Sequence, residues 1–178
     1  MRYYYLIASL PTLTLGRVPA IGEAAFRARC REHLTAADGA AVEDVFATGG
    51  AHSDHPFVAA WRERDTRVRN AVARARALRL GRDAAPHLRP EREFDAYTPR
   101  AVAEAFARPS PAERELELDR YRWQVIDELA GTAVFTSEIV LAYALKLRLT
   151  ERWRKLDDAA GRRTVEAYVG SQAAAAPW

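Results

Sequence analysis

The chain has 178 residues, a length typical of one domain. Hydrophobic residues make up 49% and charged residues 29%, enough for a core beneath a mixed-charge surface, but no apolar run reaches the ~18 residues that a membrane-spanning helix needs. The net charge of +3 is too small to indicate a nucleic-acid partner, and the one cysteine excludes an internal disulfide and a CxxC zinc site.

The first half of the chain predicts a short opening element and three helices. Residues 3–10 are apolar and fit a short strand or a buried first helix that ends before Pro11. Helices are predicted over residues 23–34, 40–47 and 57–80. The long third helix has Asp54 as its candidate cap, Pro56 in its first turn and Gly81 as its C-terminal stop.

The second half predicts further helices, separated by glycine and proline. An ordered connection at 82–97 precedes helices over residues 99–107, 111–129, 137–159 and 163–169. Ser110, Pro111 and Glu113 have the spacing of a capping box at the start of the second of these. Gly131 and Gly161 are expected to stop the two long helices.

Long helices with short loops, and no alternating strand pattern, predict an all-α fold built as an antiparallel multi-helix bundle. Residues 1–170 are expected to form a single helical domain, followed by a flexible tail at 171–178. The apolar N-terminus is too short for a signal peptide and starts with tyrosines, so we expect it to be retained in a cytoplasmic protein.

A cluster of histidines precedes the long third helix. His52, Asp54 and His55 lie within four residues and could bind a divalent metal, as in a small metal-dependent enzyme. Zinc requires three or four ligands, and the remaining histidines, His33 and His87, are distant in sequence. We therefore expect a polar loop at this position and no specifically bound metal.

Other reactive groups have structural explanations as well. Carboxylate pairs at 43–44, 113 and 117, and 157–158 could do acid–base chemistry, but each fits a solvated helix face or a first helical turn. Cys30 lies among several arginines, yet a packed structural cysteine is expected. Because GxSxG, P-loop and GxGxxG motifs are also missing, we predict no catalytic residue and no cofactor.

The long third helix is rich in arginine, at Arg62, Arg64, Arg67, Arg69, Arg74, Arg76, Arg79 and, just after it, Arg82. Arg62, Arg69 and Arg76 recur every seven residues and form one edge. Such an edge suits nucleic-acid phosphates or an acidic partner helix, but Glu63 and Asp65 interrupt the run and no interleaved aromatics suit base stacking. A solvated face or a protein-docking face is therefore favoured. Asp65 lies on the apolar stripe, where we predict an arginine partner from a neighbouring helix.

Trp61, Trp123 and Trp153 each lie on a predicted helix among regularly spaced apolar residues. This spacing predicts that all three are core residues rather than the walls of a ligand cage.

The opening stretch resembles a known signature. Residues 3–8 fit Tyr-x-Tyr-x-x-Ala, which resembles the N-terminus of the funnel subunit of V/A-type ATPases, although that signature continues with Arg where this chain has Ser9. The chain is more closely similar to a family of short, uncharacterised bacterial proteins encoded among V-type ATPase genes. Residues 4–11, 78–81, 118–123, 140–147 and 151–153 carry this similarity.

The funnel subunit is an all-helical protein that lies between the soluble rotor shaft and the membrane ring. The resemblance therefore implies a funnel-like, non-catalytic subunit or assembly factor of a V/A-type ATPase that couples the central shaft to the membrane ring. Its partners would be the proteins of the shaft and of the membrane ring, with no nucleic acid. It would reach the membrane only indirectly, on the cytoplasmic side of the inner membrane. Tyr3 and Tyr5, with the edge of Arg62, Arg69 and Arg76, are the expected partner-binding residues.

Two alternatives remain beside this prediction. One is a small metal-dependent enzyme that uses His52, Asp54 and His55, and the other is a helical nucleic-acid-binding protein that uses the arginine run.

Overall fold

A computed structural model describes residues 3–47, 53–91, 95–132 and 134–154, and every regular element within them is a helix, as predicted. The helices are α1 Tyr4–Ser9, α2 Glu23–His33, α3 Ala36–Phe46, α4 Pro56–Leu80, α5 Tyr97–Phe106, α6 Pro111–Ala130 and α7 Ser137–Arg154, with a 3-10 helix at Ala85–His87. Over the described residues, none of these helices combines the length and apolar character needed to cross a bilayer. The predicted end of the last long helix at 159, the stop at Gly161, the helix at 163–169 and the tail at 171–178 lie outside the described residues.

Helix ends follow signals that the sequence carries. The predicted capping box opens α6: the Ser110 hydroxyl accepts the N–H of Glu113 at 3.1 Å, and the Glu113 carboxylate accepts the N–H of Ser110 at 3.3 Å. Gly81 ends α4 with φ of 59°, a left-handed conformation that glycine adopts without strain. Gly131 follows the last residue of α6, as predicted.

The starts of three helices resolve or correct the predictions. The apolar opening segment is a helix, α1, rather than a strand. α3 begins before its predicted start because the Thr35 hydroxyl caps it, accepting the N–H of Asp38 at 3.3 Å. The predicted cap of α4 is wrong: Asp54 is exposed, and Nδ1 of His55 accepts the N–H of Phe57 at 3.2 Å.

Buried side chains form two clusters. The larger cluster joins α1, α2, α3 and α7 to the start of α4 and the end of α6. Near its centre, Phe26 is 0% exposed and stacks on Tyr143 with ring centroids 5.2 Å apart. The smaller cluster packs α5 against α4 and α6 through residues such as Val68, Val102 and Leu118. Because α4 and α6 contribute to both clusters, the described helices form one bundle.

One buried amide holds the connection after α4 against that helix. Asn70 is 1% exposed, and its side-chain oxygen accepts the N–H of Arg89 at 3.0 Å. Its NH₂ group donates to the Arg89 carbonyl at 2.8 Å and to the Glu91 carboxylate. An amide is suited to this position because it donates and accepts at once. The predicted ordered connection is thus confirmed as far as residue 91.

The three tryptophans are half-buried, so the prediction that they are core residues is wrong. Trp61 packs against the edge of the larger cluster. The ring of Trp123 lies 4.7 Å from the Lys146 ammonium group, and the indole N–H of Trp153 donates to Asp119 at 2.9 Å. Each ring therefore has an apolar face on the bundle and a polar or charged neighbour, an arrangement common for this amphipathic side chain.

Candidate functional site

An exposed aromatic patch lies where α1 meets the turn before α7. It consists of Tyr4, Tyr5, Val134 and Phe135, and we call it the aromatic end. The Tyr4 ring makes edge contacts with Phe135 and Tyr5, at centroid distances of 4.8 Å and 5.6 Å. Tyr5 is 81% exposed, Val134 67% and Tyr4 49%, so the patch presents apolar surface to solvent.

The backbone of the aromatic end is strained at Phe135. Its φ of 60° lies in the left-handed region, which a bulky residue rarely adopts. The Phe135 carbonyl accepts the N–H of Tyr3 at 3.2 Å, and its ring packs on Tyr4. Strained residues that are held by their surroundings cluster at functional sites, which makes the aromatic end a candidate interaction surface.

The two tyrosines predicted to bind a partner lie on opposite sides of α1. Tyr3 is 4% exposed, and its hydroxyl donates to the Asp38 carboxylate on α3. Tyr5 points to solvent. Tyr3 therefore anchors the start of α1 to the bundle, whereas Tyr5 is available for direct contact with another protein.

The predicted arginine edge is engaged within the chain. Arg62 binds Asp44, whose side chain is 2% exposed. Arg69 binds Asp65 at 2.7 Å, and Arg76 lies 3.4 Å from a partly exposed glutamate of α6. An acidic partner helix would therefore compete with internal carboxylates for these guanidinium groups.

Other members of the arginine run are engaged in the same way. Arg64 binds Glu128 at 2.8 Å and Arg74 binds Glu91 at 3.1 Å. Arg79 donates to the carbonyl at the end of α5 and lies 5.0 Å from the Phe106 ring centroid. These internal contacts reduce the positive charge available to the phosphates of a nucleic acid.

A cleft of about 390 Å³ opens beside α4, α6 and α7, and we call it the charged cleft. Its lining combines an apolar group with arginines and carboxylates: Glu23, Phe46, Trp61, Asp65, Arg69, Asp119, Arg122, Leu145, Arg148, Leu149, Glu151 and Arg152.

Two buried carboxylates link three helices at the base of the charged cleft. Asp119 of α6 is 0% exposed and accepts from Nη1 of Arg122 at 3.0 Å, from Arg152 and from the indole N–H of Trp153. Asp65 of α4 accepts from Nε of Arg122 at 3.1 Å, which confirms the predicted arginine partner from a neighbouring helix. Burial alone would lower the pKa of Arg122, but the charges of Asp65 and Asp119 outweigh it and raise the pKa.

Three residues near the start of α4 have the composition of a hydrolase triad without its geometry. Nε2 of His55 lies 3.4 Å from Oγ of Ser137 and 3.7 Å from Oδ1 of Asp38. A triad needs Nε2 to accept the serine proton while Nδ1–H donates to the carboxylate. Here Nδ1 accepts the N–H of Phe57, so the neutral ring carries its hydrogen on Nε2 and cannot take a proton from Ser137.

The predicted metal cluster is only partly described. His52 lies outside the described residues, Asp54 is exposed, and Nδ1 of His55 is engaged as the cap of α4. Among the residues that the structure describes, no group of three or more histidine, cysteine, aspartate or glutamate side chains could hold a metal ion.

The carboxylate pairs considered for acid–base chemistry are held in structural contacts. Glu43 binds two arginines of α2, and Asp44 binds Arg62. Glu113 belongs to the capping box of α6. Residues 157–158 lie outside the described part of the chain.

Cys30 is a packed residue, as predicted. It is 2% exposed, and burial, with a smaller contribution from the charge of Glu43, raises its pKa to about 12. A thiol with so high a pKa is almost entirely protonated at neutral pH and is a poor nucleophile.

We expect the Cys30 thiol of the folded protein to react with an aromatic disulfide reagent at least ~100-fold more slowly at mildly alkaline pH than in denaturant. The thiol is both shielded and protonated in the fold. Stopped-flow absorbance of the released thiolate measures the two rates, with Cys30→Ser as the blank. Similar rates in folded and unfolded protein would contradict a packed cysteine.

Comparison with known protein families gives a partial match. Residues 97–171 match the model of a family described as a protein of unknown function (DUF2764). The matched segment is less than half of the chain and contains α5, α6 and α7, including the buried Asp119 and its partners Arg122 and Arg152. This agrees with the predicted resemblance to an uncharacterised family. No curated protein and no solved structure matched the chain.

Proposed function

We propose that this chain is a non-catalytic subunit or assembly factor of a V/A-type ATPase that couples the central rotor shaft to the membrane ring. The observation that carries the proposal is the aromatic end, because it includes Tyr5 of the Tyr3-x-Tyr5-x-x-Ala8 stretch that resembles the funnel subunit.

The geometry of this stretch fits a docking element. Tyr3 and Leu6 are buried at 4% and 1% exposure and fix α1 on the bundle. Tyr4 and Tyr5 remain exposed beside Val134 and Phe135. Tyrosine is enriched at protein interfaces, since its ring buries a large apolar area while its hydroxyl keeps a hydrogen-bond partner. A contiguous patch of such residues favours a protein partner.

The structural roles of the candidate catalytic groups also favour a binding role. His55 caps α4, Asp44 and Asp65 hold arginines, and Cys30 is shielded and protonated. A metal-dependent reaction at His55 and Asp54 would require His55 to abandon the cap, and nucleic-acid binding would require the arginine run to leave its carboxylates.

On this proposal the partners are the proteins of the shaft and of the membrane ring. The chain would lie on the cytoplasmic side of the inner membrane and would meet the membrane only through the assembled complex.

Co-purification from the native host tests the proposal. Tagged protein should recover shaft and membrane-ring proteins, and Tyr5→Ser should reduce that recovery several-fold because it removes the exposed ring at the centre of the patch. Tyr97→Ser is the matched control, since Tyr97 is 80% exposed but lies on α5. Recovery of no ATPase component, under conditions that keep the ATPase intact, would contradict the proposal.

A further inference from the structure

The charged cleft has an apolar side and a charged side. Phe46, Trp61, Leu145 and Leu149 supply apolar surface to its lining. Its volume of about 390 Å³ falls within the ~300–1,000 Å³ that is usual for small-molecule pockets. Pockets of this kind typically bind an apolar ligand body and fix its orientation with a few polar groups.

The carboxylates that line the charged cleft all have arginine partners. Asp65 and Asp119 share Arg122, and further arginines reach each of them. Glu23 binds an arginine of α2 at 2.9 Å, and Glu151 binds an arginine at the described end of α7 at 2.7 Å. These acids therefore have little affinity left for an added cation.

Arg148 differs from the other arginines of the cleft. Arg69, Arg122 and Arg152 each bind a carboxylate. Nη1 of Arg148 donates instead to the carbonyl of Val45 at 2.7 Å, near the end of α3, and no carboxylate pairs with it among the described residues. One guanidinium donor thus holds a backbone group, while the remaining donors of the fork are available to a ligand in the cleft.

The balance of charge selects a ligand with a single negative charge. A carboxylate matches the fork of a guanidinium and forms charge-assisted hydrogen bonds with it. A doubly charged phosphate would meet the same arginine but would be repelled by the nearby Asp65, Asp119 and Glu151. The aromatic rings of Phe46 and Trp61 favour a flat apolar body.

We propose that the charged cleft binds a small organic monocarboxylate with a flat apolar body, with Arg148 holding the carboxylate and Trp61 and Phe46 lining the space for the ring. This site does not depend on the proposed ATPase partners.

Calorimetric titration of the full chain with 2-naphthoate tests the proposal. The wild-type protein should bind one equivalent, with a dissociation constant on the order of 0.1–1 mM for a ligand of this size. The neutral isostere 2-naphthamide should bind at least ~10-fold more weakly, because it lacks the charge that Arg148 recognises. N-acetylglutamate amide, which carries a carboxylate without a flat body, should also bind at least ~10-fold more weakly.

Two substitutions locate the site. Arg148→Gln should weaken 2-naphthoate binding at least ~10-fold. Arg100→Gln makes the same change of charge on α5, where the side chain is 81% exposed, and should leave binding unchanged. If Arg148→Gln fails to fold, the indole N–H resonance of Trp61, assigned with Trp61→Phe, reports on the wild-type protein and should shift as 2-naphthoate is added.

Three results would overturn the proposal. They are an absence of saturable binding, equal affinity for 2-naphthoate and either control ligand, and equal loss of binding in Arg148→Gln and Arg100→Gln. An unshifted Trp61 resonance at saturation would likewise overturn it.

Discussion

Replacing Asp119 with alanine is expected to lower the free energy of unfolding by about 3–5 kcal/mol, since removing one partner of a buried ion pair leaves an uncompensated charge. Asp119 is 0% exposed and accepts hydrogen bonds from Arg122, Arg152 and Trp153. The Arg122 side chain is 14% exposed and would keep Asp65 as its carboxylate partner. Urea unfolding followed by far-ultraviolet circular dichroism measures the loss.

The matched control is Glu128→Ala. Glu128 also binds an arginine across helices, but its side chain is 62% exposed, so the cost should stay within about 1 kcal/mol. If Asp119→Ala costs no more than Glu128→Ala, the buried network does not stabilise the bundle in the manner described.

Replacing Phe26 with alanine is expected to lower the free energy of unfolding by about 3–5 kcal/mol, the range for emptying a fully packed aromatic site. Phe26 is 0% exposed, stacks on Tyr143 and meets the edge of Phe46 at a centroid distance of 6.1 Å. Its removal would leave a cavity where α2, α3 and α7 meet. Thermal and urea unfolding measure the change.

Tyr97→Ala serves as the control for Phe26→Ala. Its ring is 80% exposed, so its removal should change stability by no more than about 0.5 kcal/mol. A Phe26→Ala protein as stable as the wild type would show that the larger cluster is not packed around this ring.

Local signals in the sequence were sufficient to predict most of the helices. The capping box at Ser110 and the glycine stops at Gly81 and Gly131 act over a few residues, so their effect does not depend on the rest of the fold. The start of α3 was missed although Thr35 and Asp38 have the spacing of a cap. Its first turn lacks the apolar spacing on which the prediction relied.

The buried network shows where sequence reasoning stops. The need of Asp65 for an arginine followed from its place on an apolar stripe, but the partner, Arg122, lies 57 residues away and is selected by helix packing. Asp119 was not singled out, although its spacing of three residues from Arg122 places both on one side of α6. The charged cleft combines residues of separate helices, so no local motif predicts it.

The tryptophans illustrate a related limit. Periodicity places Trp61, Trp123 and Trp153 on the inner side of their helices, but it does not tell a core position from the rim of the bundle. Their large rings reach past the buried layer to charged groups such as Lys146 and Asp119.

Photo-crosslinking from position 5 tests most directly whether the aromatic end contacts a component of a V/A-type ATPase. Tyr5 is replaced by a photoreactive phenylalanine analogue in the native host, and Tyr97, which is equally exposed on α5, is replaced in the same way as the control. The proposed function predicts an adduct with a shaft or membrane-ring protein from position 5 and none from position 97. Adducts with unrelated proteins alone, or equal yields of ATPase adducts from both positions, would contradict it.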